Sequence, residues 1–281
     1  MFLEPMLCET SDKPFSDDKY IFEPKFDGHR LLVSKIGDEV KLYTRHGNNC
    51  TLKYPELLNV PVLNGKDIIL DGEVVVLDRE TGKPDFELVM RRFQGGSGPA
   101  VQFVAFDILH YDGEDLRSLG LMERKKILSD VVEENAFFSV IRYVEGEGEA
   151  LFEAIQRHDL EGIVAKRKDS KYEGKRSKAW LKTINYKYET VEIAGYRKDE
   201  FGWLAEVNGR PVGVIELGVP PKHKKAFSEV SRQLIVEETE DIVRLEPLIK
   251  AKVKFRNWTR KGFMRSPVFI DFVTEGTEKT S

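Results

Sequence analysis

Apolar and polar residues alternate along the first half of the chain in a pattern that predicts mainly β-strands. Segments rich in Gly, Asp, Asn and Pro, which are typical of turns, separate these apolar runs. The predicted strands cover Tyr20 to Glu23, Arg30 to Lys35, Val40 to Tyr43, Ile68 to Leu77 and Val101 to Leu109. Sheets are therefore expected to form most of this half.

Two later segments show helical spacing of apolar residues instead. They are Leu121 to Glu134 and Glu149 to His158, in which Leu, Ile, Val and Phe recur with charges between them. Gly162 lies a few residues beyond the second segment, where a chain leaving a helix commonly places glycine. Helices are therefore expected to flank the sheets.

The pattern changes again beyond Asn185, where short strands return around one helix. The predicted elements are strands at Thr190 to Tyr196, Trp203 to Val207, Val212 to Leu217, Lys252 to Phe255 and Val268 to Val273, and a helix from Pro221 to Ile235. This change places a domain boundary near residues 184 to 190. We expect domains at residues 1–187 and 188–281, the second a small Greek-key barrel such as an OB-fold.

Composition supports two soluble globular domains and complicates any inference from charge. The chain has 281 residues, 41% of them hydrophobic and 33% charged, with a net charge of −4. Residues 166–198 nevertheless carry 11 basic and 4 acidic residues, or +7, and residues 250–265 carry 7 basic and no acidic residues, another +7. The remainder is therefore −18. Both a polyanion-binding face and ordinary solvated surface elements fit this distribution.

Cysteine usage and hydropathy bear on the compartment. Cys8 and Cys50 lack the spacing of a zinc site, and two cysteines favour a reducing environment over a disulfide framework. No apolar run approaches the roughly 18 residues of a membrane span, and the first ten residues lack the plan of a signal peptide. We expect a cytoplasmic protein without a membrane partner.

One lysine lies in an unusual turn between two predicted strands. Residues 23–30 have the sequence E-P-K-F-D-G-H-R, in which Glu23, Asp27 and Arg30 flank Lys25. A lysine amine is nucleophilic only when neutral, so nearby cations or burial must favour that form. The segment resembles the K-x-D-G-x-R motif of covalent nucleotidyl transferases, in which the lysine attacks the α-phosphate of a nucleotide.

Further motifs of that superfamily follow in its order within residues 1 to 187. They are Y-T-R-H-G (residues 43–47), I-L-D-G-E-V (69–74), F-V-A-F-D-I-L (103–109), L-E-G-I-V-A-K (160–166) and K-A-W-L-K (178–182). Each motif taken alone also fits an ordinary turn or core strand. Together and in order they identify the chain as similar to nucleotidyl transferases.

The resemblance implies a role for each matched position. Lys25 becomes the nucleophile that carries the nucleotide. The implied nucleotide-binding residues are Glu23, Arg30, Arg45, Glu73, Phe106, Lys166, Lys182 and Arg265, with Phe106 stacked on the purine and Lys166 facing phosphate. The implied Mg²⁺ ligands are Glu73, Glu161 and Asp27.

The motif around Lys25 most resembles that of ATP-dependent DNA ligases. In these ligases a glutamate two residues before the lysine accepts a hydrogen bond from the adenine amino group, whereas guanine has a carbonyl at that position. Capping enzymes usually have Thr in place of Phe26. Residues 253–267, V-K-F-R-N-W-T-R-K-G-F-M-R-S-P, resemble the closing motif of small bacterial and phage DNA ligases. An RNA ligase and a non-catalytic nucleic-acid-binding module on the same scaffold remain as alternatives.

Two departures from the family pattern accompany this resemblance. The second lysine of the W-x-K-x-K pattern is replaced by Ile184, so that either Lys182 acts alone or a bulge brings Lys187 into its place. The R-x-D-K ending of many ligases is absent after Phe269, where I-D-F-V follows.

The resemblance implies an α+β fold in which an adenylation domain of antiparallel sheets with flanking helices precedes the OB-fold domain. It also implies ATP and Mg²⁺ as cofactors, nicked duplex DNA as the macromolecular partner, and a monomer. Because the lysine motif begins at residue 23, we expect no separate DNA-encircling domain before it.

Overall fold

The chain divides into two compact units. The computed structural model describes residues 1–78 and 80–273, and its internal contacts separate Met1–Asn185 from Tyr186–Ser281. The division lies two residues before the one that the sequence pattern predicts. Each unit has its own hydrophobic core and is described by itself.

The first unit is built on two sheets. Its strands are β1 (Leu7–Thr10), β2 (Asp17–Pro24), β3 (His29–Ile36), β4 (Glu39–Thr44), β5 (Ile68–Val75), β6 (Gln102–Tyr111), β7 (Glu114–Asp115), β8 (Phe138–Val140), β9 (Val144–Gly146), β10 (Gly162–Arg167) and β11 (Arg176–Ile184). One sheet has the order β1-β11-β10-β2-β9 and the other β4-β3-β5-β6-β7, with β8 beside β6. Most neighbours are antiparallel, but β1 with β11 and β6 with β8 run parallel.

Three helices accompany these sheets in the described part of the first unit: α1 (Phe86–Phe93), α2 (Leu121–Val131) and α3 (Gly148–Arg157). The Asp85 side chain caps α1 by accepting a hydrogen bond from the Leu88 amide. Helix α3 buries Phe152 and Ile155 against the first sheet, where Phe22 and Ala165 lie. That sheet therefore has one face covered by α3 and the other available for polar side chains.

The second sheet of this unit is buried on both faces. Along β3, Leu31 and Val33 point into a core that includes Leu128 of α2, while Leu32 points into a separate cluster with Trp180 of β11. Alternation along a strand sends successive side chains to opposite faces, so a continuous apolar run is what this position requires.

Gly72 allows β5 and β6 to approach closely at an irregularity in their pairing. A Cβ atom there would lie 2.4 Å from Phe103 Cζ and 2.6 Å from the Val104 carbonyl oxygen. Any larger residue would force the strands apart. This glycine separates Asp71 from Glu73, the two carboxylates that β5 contributes to the site described below.

The second unit is a branched antiparallel sheet with one described helix. Its elements are β12 (Lys187–Arg197), β13 (Trp203–Val207), β14 (Arg210–Ile215), α4 (Pro221–Ser231), β15 (Ile235–Glu238), β16 (Ile242–Leu245), β17 (Lys250–Phe255) and β18 (Val268–Phe272). The long β12 pairs with β13 on one edge and with both β16 and β17 on the other. Trp203 lies at the centre of the core, with Phe227, Phe269 and Phe272 around its ring.

The fold confirms that sheets dominate and that a few helices accompany them. The helix predicted from Pro221 to Ile235 is wrong after Ser231, because a 3₁₀ turn follows and the β-branched residues Ile235 and Val236 belong to β15, which pairs with β16. The helix predicted to run from Leu121 to Glu134 ends at Val131. Among residues 1–78 and 80–273, no helix is both long and apolar enough to span a bilayer.

Candidate active site

Lys25 lies just beyond the end of β2, next to the start of β10. The Lys25 backbone N–H donates to the Gly162 carbonyl oxygen at 2.8 Å, continuing the pairing of these two strands. The residue before Gly162 is Glu161, and its Oε2 lies 2.9 Å from Lys25 Nζ. The Lys25 side chain is 23% exposed and that of Glu161 only 5%. A partly accessible amine is therefore held against a buried carboxylate.

The turn after Lys25 is pressed against β5 through Gly28. A Cβ atom on Gly28 would lie 2.1 Å from the Val74 carbonyl oxygen and 2.9 Å from Glu73 Cγ. Only glycine fits at this distance, which is why the Asp-Gly step of the motif is required here. The close approach brings the lysine turn beside the Glu73 carboxylate.

Glu73 carries the most informative electrostatic signature of the site. Its pKa is raised to about 7, above all by burial, with smaller upward contributions from the charges of Glu161 and Asp27 and against the opposing charges of Lys25 and Arg30. Two carboxylates of like charge in a poorly solvated site disfavour simultaneous ionisation. Four other predicted site residues thus lie within electrostatic range of Glu73: Lys25, Asp27, Arg30 and Glu161.

This arrangement suits a divalent cation held in part by substrate. Mg²⁺ binds through one or two carboxylates together with phosphate oxygens and water, and it would relieve the repulsion between Glu73 and Glu161. Within the described chain, no group of three or more His, Cys, Asp or Glu side chains is arranged to hold a metal. The residues fit Mg²⁺ held by two protein carboxylates together with substrate phosphates, and Asp27 as a further ligand stays a prediction.

Arg30 is fixed by a buried network. Its Nε and Nη2 donate to Asp71 Oδ1 and Oδ2 at 3.0 and 2.6 Å, and Nη2 also donates to the Met6 carbonyl oxygen at 2.7 Å. The Tyr172 hydroxyl donates to Asp71 Oδ2 at 2.7 Å and accepts from the Met6 amide. The guanidinium carbon lies 5.2 Å from the centroid of the Phe106 ring. The guanidinium is therefore held in one orientation beside the predicted purine-stacking residue.

Glu23 is held between two buried lysines. Its Oε2 lies 2.8 Å from Lys166 Nζ, and its Oε1 forms an ion pair with Lys125 Nζ. The side chains of all three residues are 2% exposed. Burial lowers the pKa of Lys125, although the neighbouring Glu23 carboxylate opposes this effect.

Lys166 lies beside Glu23 and two aromatic rings, and its contact with phosphate stays a prediction. Lys166 pairs with Ile21 across β10 and β2 and therefore shares a sheet face with Glu23. Its Nζ lies 4.4 Å from the Phe106 ring centroid and 4.0 Å from that of Trp180. It is thus packed among the residues predicted to contact the base, with its charge neutralised by Glu23.

Lys182 lies in the same cationic region and Ile184 stays in register. The pKa of the Cys8 thiol is raised by burial, and four cations, Arg30, Lys166, Lys25 and Lys182, partly oppose that rise. The β10–β11 pairing is regular from Trp180 to Ile184. The bulge that would bring Lys187 into the place of Ile184 is therefore absent from this ladder.

Two further residues of the predicted nucleotide site are Arg45 and Arg265. Arg45 is in an exposed turn that Thr44 closes, because the Thr44 oxygen atoms accept from the His46, Gly47 and Asn48 amides. Arg265 belongs to the second unit, where its amide donates to the Asn257 carbonyl oxygen at 3.0 Å. Contacts of either arginine with a nucleotide stay predictions.

The sequence prediction missed Asp71, Tyr172 and Lys125. A detectable signal existed for Lys125, because Arg124 and Lys125 fall on the apolar stripe of α2, between Leu121 and Leu128. Charged residues on a buried stripe need buried partners. Tyr172 carried no such signal, since it lies in the irregular segment between β10 and β11.

Comparison with known proteins places this geometry in a family. The ATP dependent DNA ligase domain matches residues 5–183. The chain is 39% identical over 272 residues to the SPbeta prophage-derived DNA ligase-like protein LigB of Bacillus subtilis, covering 96% of this chain and 98% of that protein.

Similarity extends to part of a larger repair protein. Over 271 residues the chain is 30% identical to the multifunctional non-homologous end joining DNA repair protein LigD of Mycobacterium tuberculosis, covering 88% of this chain and 35% of LigD. A solved structure of mycobacterial DNA ligase D complexed with ATP and MES superposes with a TM-score of 0.62 at 28% identity, covering 97% of this chain and 95% of that one. The chain belongs to the family of ATP-dependent DNA ligases.

Proposed function

We propose that this protein seals nicks in duplex DNA at the expense of ATP, with Lys25 as the residue that carries AMP. The observation that supports this role is the 2.9 Å contact of Lys25 Nζ with Glu161 Oε2, beside the raised-pKa carboxyl of Glu73. A partly exposed amine beside a carboxylate that can accept its proton suits nucleophilic catalysis by lysine, with Arg30 and burial favouring the neutral amine.

The reaction consists of three displacements at phosphorus. Lys25 Nζ attacks the α-phosphorus of ATP, so that an N–P bond forms, pyrophosphate leaves and the amine gives up a proton. An oxygen of the 5′-phosphate at the nick then attacks the AMP phosphorus and breaks the N–P bond, which returns the electron pair to Nζ. Finally, the 3′-hydroxyl attacks the activated 5′-phosphorus, the strand is closed and AMP leaves. Positioning and charge neutralisation supply most of the catalysis in such displacements.

The residues around Lys25 bind different parts of the nucleotide. Glu23 accepts from the adenine amino group and Phe106 stacks on the ring. Arg30, fixed by Asp71, and Lys182 supply positive charge for the sugar and phosphates. Glu73 and Glu161 would hold Mg²⁺, which when bound neutralises phosphate charge.

The second unit supplies a surface suited to a DNA backbone. Lys252 of β17 lies beside Tyr188 of the neighbouring β12, with its Nζ 5.9 Å from the ring centroid. Lys254 Nζ lies 4.7 Å from that of Tyr186, on the segment leading into β12. The Tyr188 side chain is 60% exposed. Cations beside exposed rings match sugar–phosphate recognition.

The two units correspond to two proposed domains. We assign residues 1–187 to the adenylation domain and residues 188–281 to an OB-fold domain. We also assign the protein to the cytoplasm, because its two cysteines, neither in a zinc spacing, suit a reducing compartment. A monomer is the oligomeric state that we propose.

Covalent labelling tests the assignment of Lys25. Wild-type protein, Lys25→Ala and the control Lys41→Ala, at a partly exposed lysine paired with Glu39 on β4, are incubated with α-labelled ATP, GTP or NAD and separated by denaturing electrophoresis. Label from ATP alone on the wild type and on Lys41→Ala, and none on Lys25→Ala, is the expected result. Persistent covalent label on Lys25→Ala would refute the assignment. Sealing of nicked DNA and nicked RNA duplexes, measured side by side, separates a DNA ligase from an RNA ligase.

A further inference from the structure

Two buried lysines contact the Glu23 carboxylate, although one would be enough to neutralise its charge. Lys166 Nζ, 2.8 Å from Oε2, already neutralises the carboxylate. Lys125 adds a second ammonium group on Oε1, from a different element, helix α2. Transfer of an unneeded charge into a protein interior is costly. An apolar residue at position 125 would continue the buried stripe of α2, so the fold itself gives no reason for a lysine.

Helix α2 presents Lys125 from a rigid position. The preceding residue, Arg124, is fully buried and donates from Nε and Nη2 to the two carboxylate oxygens of Asp107 on β6, at 2.8 and 2.9 Å. Its Nη1 also donates to the carbonyl oxygens of Leu119 and Ser170. The two bonds to Asp107 fix the first turns of α2 against β6, and the other two hold the same guanidinium to neighbouring loop segments. The ammonium group one residue further on is therefore held at a defined point beside Glu23.

The buried Glu23–Lys125 pair has a partly exposed aromatic ring beside it. Lys125 Nζ is 5.7 Å from the centroid of the Tyr143 ring, and Tyr143 is 36% exposed. On the other side of Glu23, Lys166 contacts the partly buried Phe106 ring. A carboxylate has about four lone-pair sites on its two oxygens, so a further N–H can be accepted while both lysines stay in place.

We propose that Lys125 is a positioning residue: it fixes the Glu23 carboxylate in the orientation in which it accepts a hydrogen bond from the 6-amino group of adenine. This inference rests on the proposed contact of Glu23 with adenine. One lysine neutralises a carboxylate but leaves it free to rotate about its last bond, whereas two cations, one on each oxygen, fix its plane. Discrimination by a hydrogen bond depends on that orientation.

Nucleotide analogues measure this positioning directly. ATP carries the 6-amino group, and purine riboside triphosphate is the same nucleotide without it. The ratio of their kcat/KM values for covalent labelling of Lys25 therefore reports recognition of the amino group. A hydrogen bond to a charged acceptor predicts a preference for ATP of about 10- to 100-fold in the wild type.

The variants are Lys125→Met, Lys125→Arg, Glu23→Gln and the double variant Glu23→Gln/Lys125→Met. The matched control is Lys126→Met, since Lys126 is the next residue of α2 but its side chain is 77% exposed and paired with Asp130. We expect Lys125→Met to lose most of the preference for ATP, chiefly through kcat/KM for ATP, and Lys125→Arg to keep most of it. The preference of the double variant for ATP over purine riboside triphosphate should be no smaller than that of Glu23→Gln alone. Lys126→Met should show the same preference as the wild type.

An equal loss with both nucleotides, leaving the ratio unchanged in Lys125→Met, would overturn the inference by giving Lys125 a purely structural role. Should Lys125→Met not fold in a thermal unfolding check, Lys125→Gln, which keeps a polar side chain, provides the same comparison. A wild-type ratio near one would also overturn the inference, because Glu23 would then not contact the amino group. Covalent labelling of Lys25 by ATP would still support the proposed function in that case, so the two failures are distinguishable.

Discussion

Lys25 Nζ and Glu161 Oε2 lie 2.9 Å apart although 136 residues separate them in the sequence. Their proximity follows from sheet pairing, because Lys25 follows the end of β2, Glu161 precedes β10, and these strands are antiparallel neighbours. An ammonium group in an ion pair cannot attack phosphorus until it loses a proton, and the partner carboxylate is placed to accept it.

We expect Glu161→Gln to slow enzyme–AMP formation by about 10²- to 10⁴-fold, because the amide cannot accept that proton and is a poorer ligand for a cation. Single-turnover labelling at saturating ATP is the measurement. Glu145→Gln is the control, since Glu145 is an exposed partner of Lys168 on β9. A Glu161→Gln rate close to that of the wild type would remove Glu161 from the reaction.

The raised pKa of Glu73 predicts a dependence of stability on pH. In the unfolded chain this carboxyl titrates near its ordinary value of 4.5, and in the fold at about 7. The folded protein therefore binds the proton more tightly, so the stability associated with this proton is fully present below pH 4.5 and is lost as the pH rises through 7. Without a divalent cation, the wild type should become less stable relative to a variant that cannot ionise.

Thermal unfolding of Glu73→Gln and wild type in the presence of a chelator tests this sign. We expect similar Tm values at about pH 5 and an advantage of Glu73→Gln by about 2 °C or more at about pH 8. Addition of Mg²⁺ at the higher pH should narrow the difference by stabilising the wild type. A Tm advantage that is equal at both pH values would show that Glu73 does not titrate in this range.

The sequence motifs located the strands that carry the site better than they assigned contacts between side chains. Lys25, Glu73 and Glu161 lie in turns and strand segments that local patterns reveal. The partners of Glu23, by contrast, come from α2 and β10, and their pairing depends on how the helix packs on the sheet. The hydrogen bond between Arg30 and Asp71 could not be predicted for the same reason, because it is a cross-strand contact between β3 and β5.

Local propensity also failed where tertiary pairing decided the structure. Residues after Ser231 continue an apolar spacing that suits a helix, but Ile235–Glu238 gains a ladder with β16 instead. The short β8 and β9 are three residues each and carry no pattern of their own. They exist because β6 and β2 offer open edges for pairing.

The buried Arg124–Asp107 pair predicts a strong and asymmetric effect on stability. Both side chains are fully buried, and the guanidinium contacts both carboxylate oxygens. Arg124→Met leaves the Asp107 charge without this cation, and we expect a loss of about 3–5 kcal/mol in the free energy of unfolding. The double variant Asp107→Asn/Arg124→Met should recover a large part of that loss. Urea unfolding of the wild type and both variants measures these values, and a double variant no more stable than Arg124→Met would contradict the coupling.

Salt dependence of DNA binding tests whether charge distribution outweighs net charge. The chain is acidic overall, yet residues 250–265 carry 7 basic and no acidic residues. Lys252 is exposed on β17, and Lys254 is half-buried beside Tyr186. If these cations contact phosphates, nick binding must release counterions and weaken steeply with salt despite the negative net charge.

We expect the slope of log K against log salt for a nicked duplex to be negative and to become shallower by about 1.8 in Lys252→Ala/Lys254→Ala, or about 0.9 for each phosphate that is no longer neutralised. The charge-matched control is Lys222→Ala/Lys225→Ala, which removes two exposed lysines of α4 outside both basic segments. Its slope should equal that of the wild type if only local charge matters. An equal change in both double variants would mean that DNA responds to net charge alone, and a flat slope in the wild type would exclude the basic surface of β17 as a phosphate-binding site.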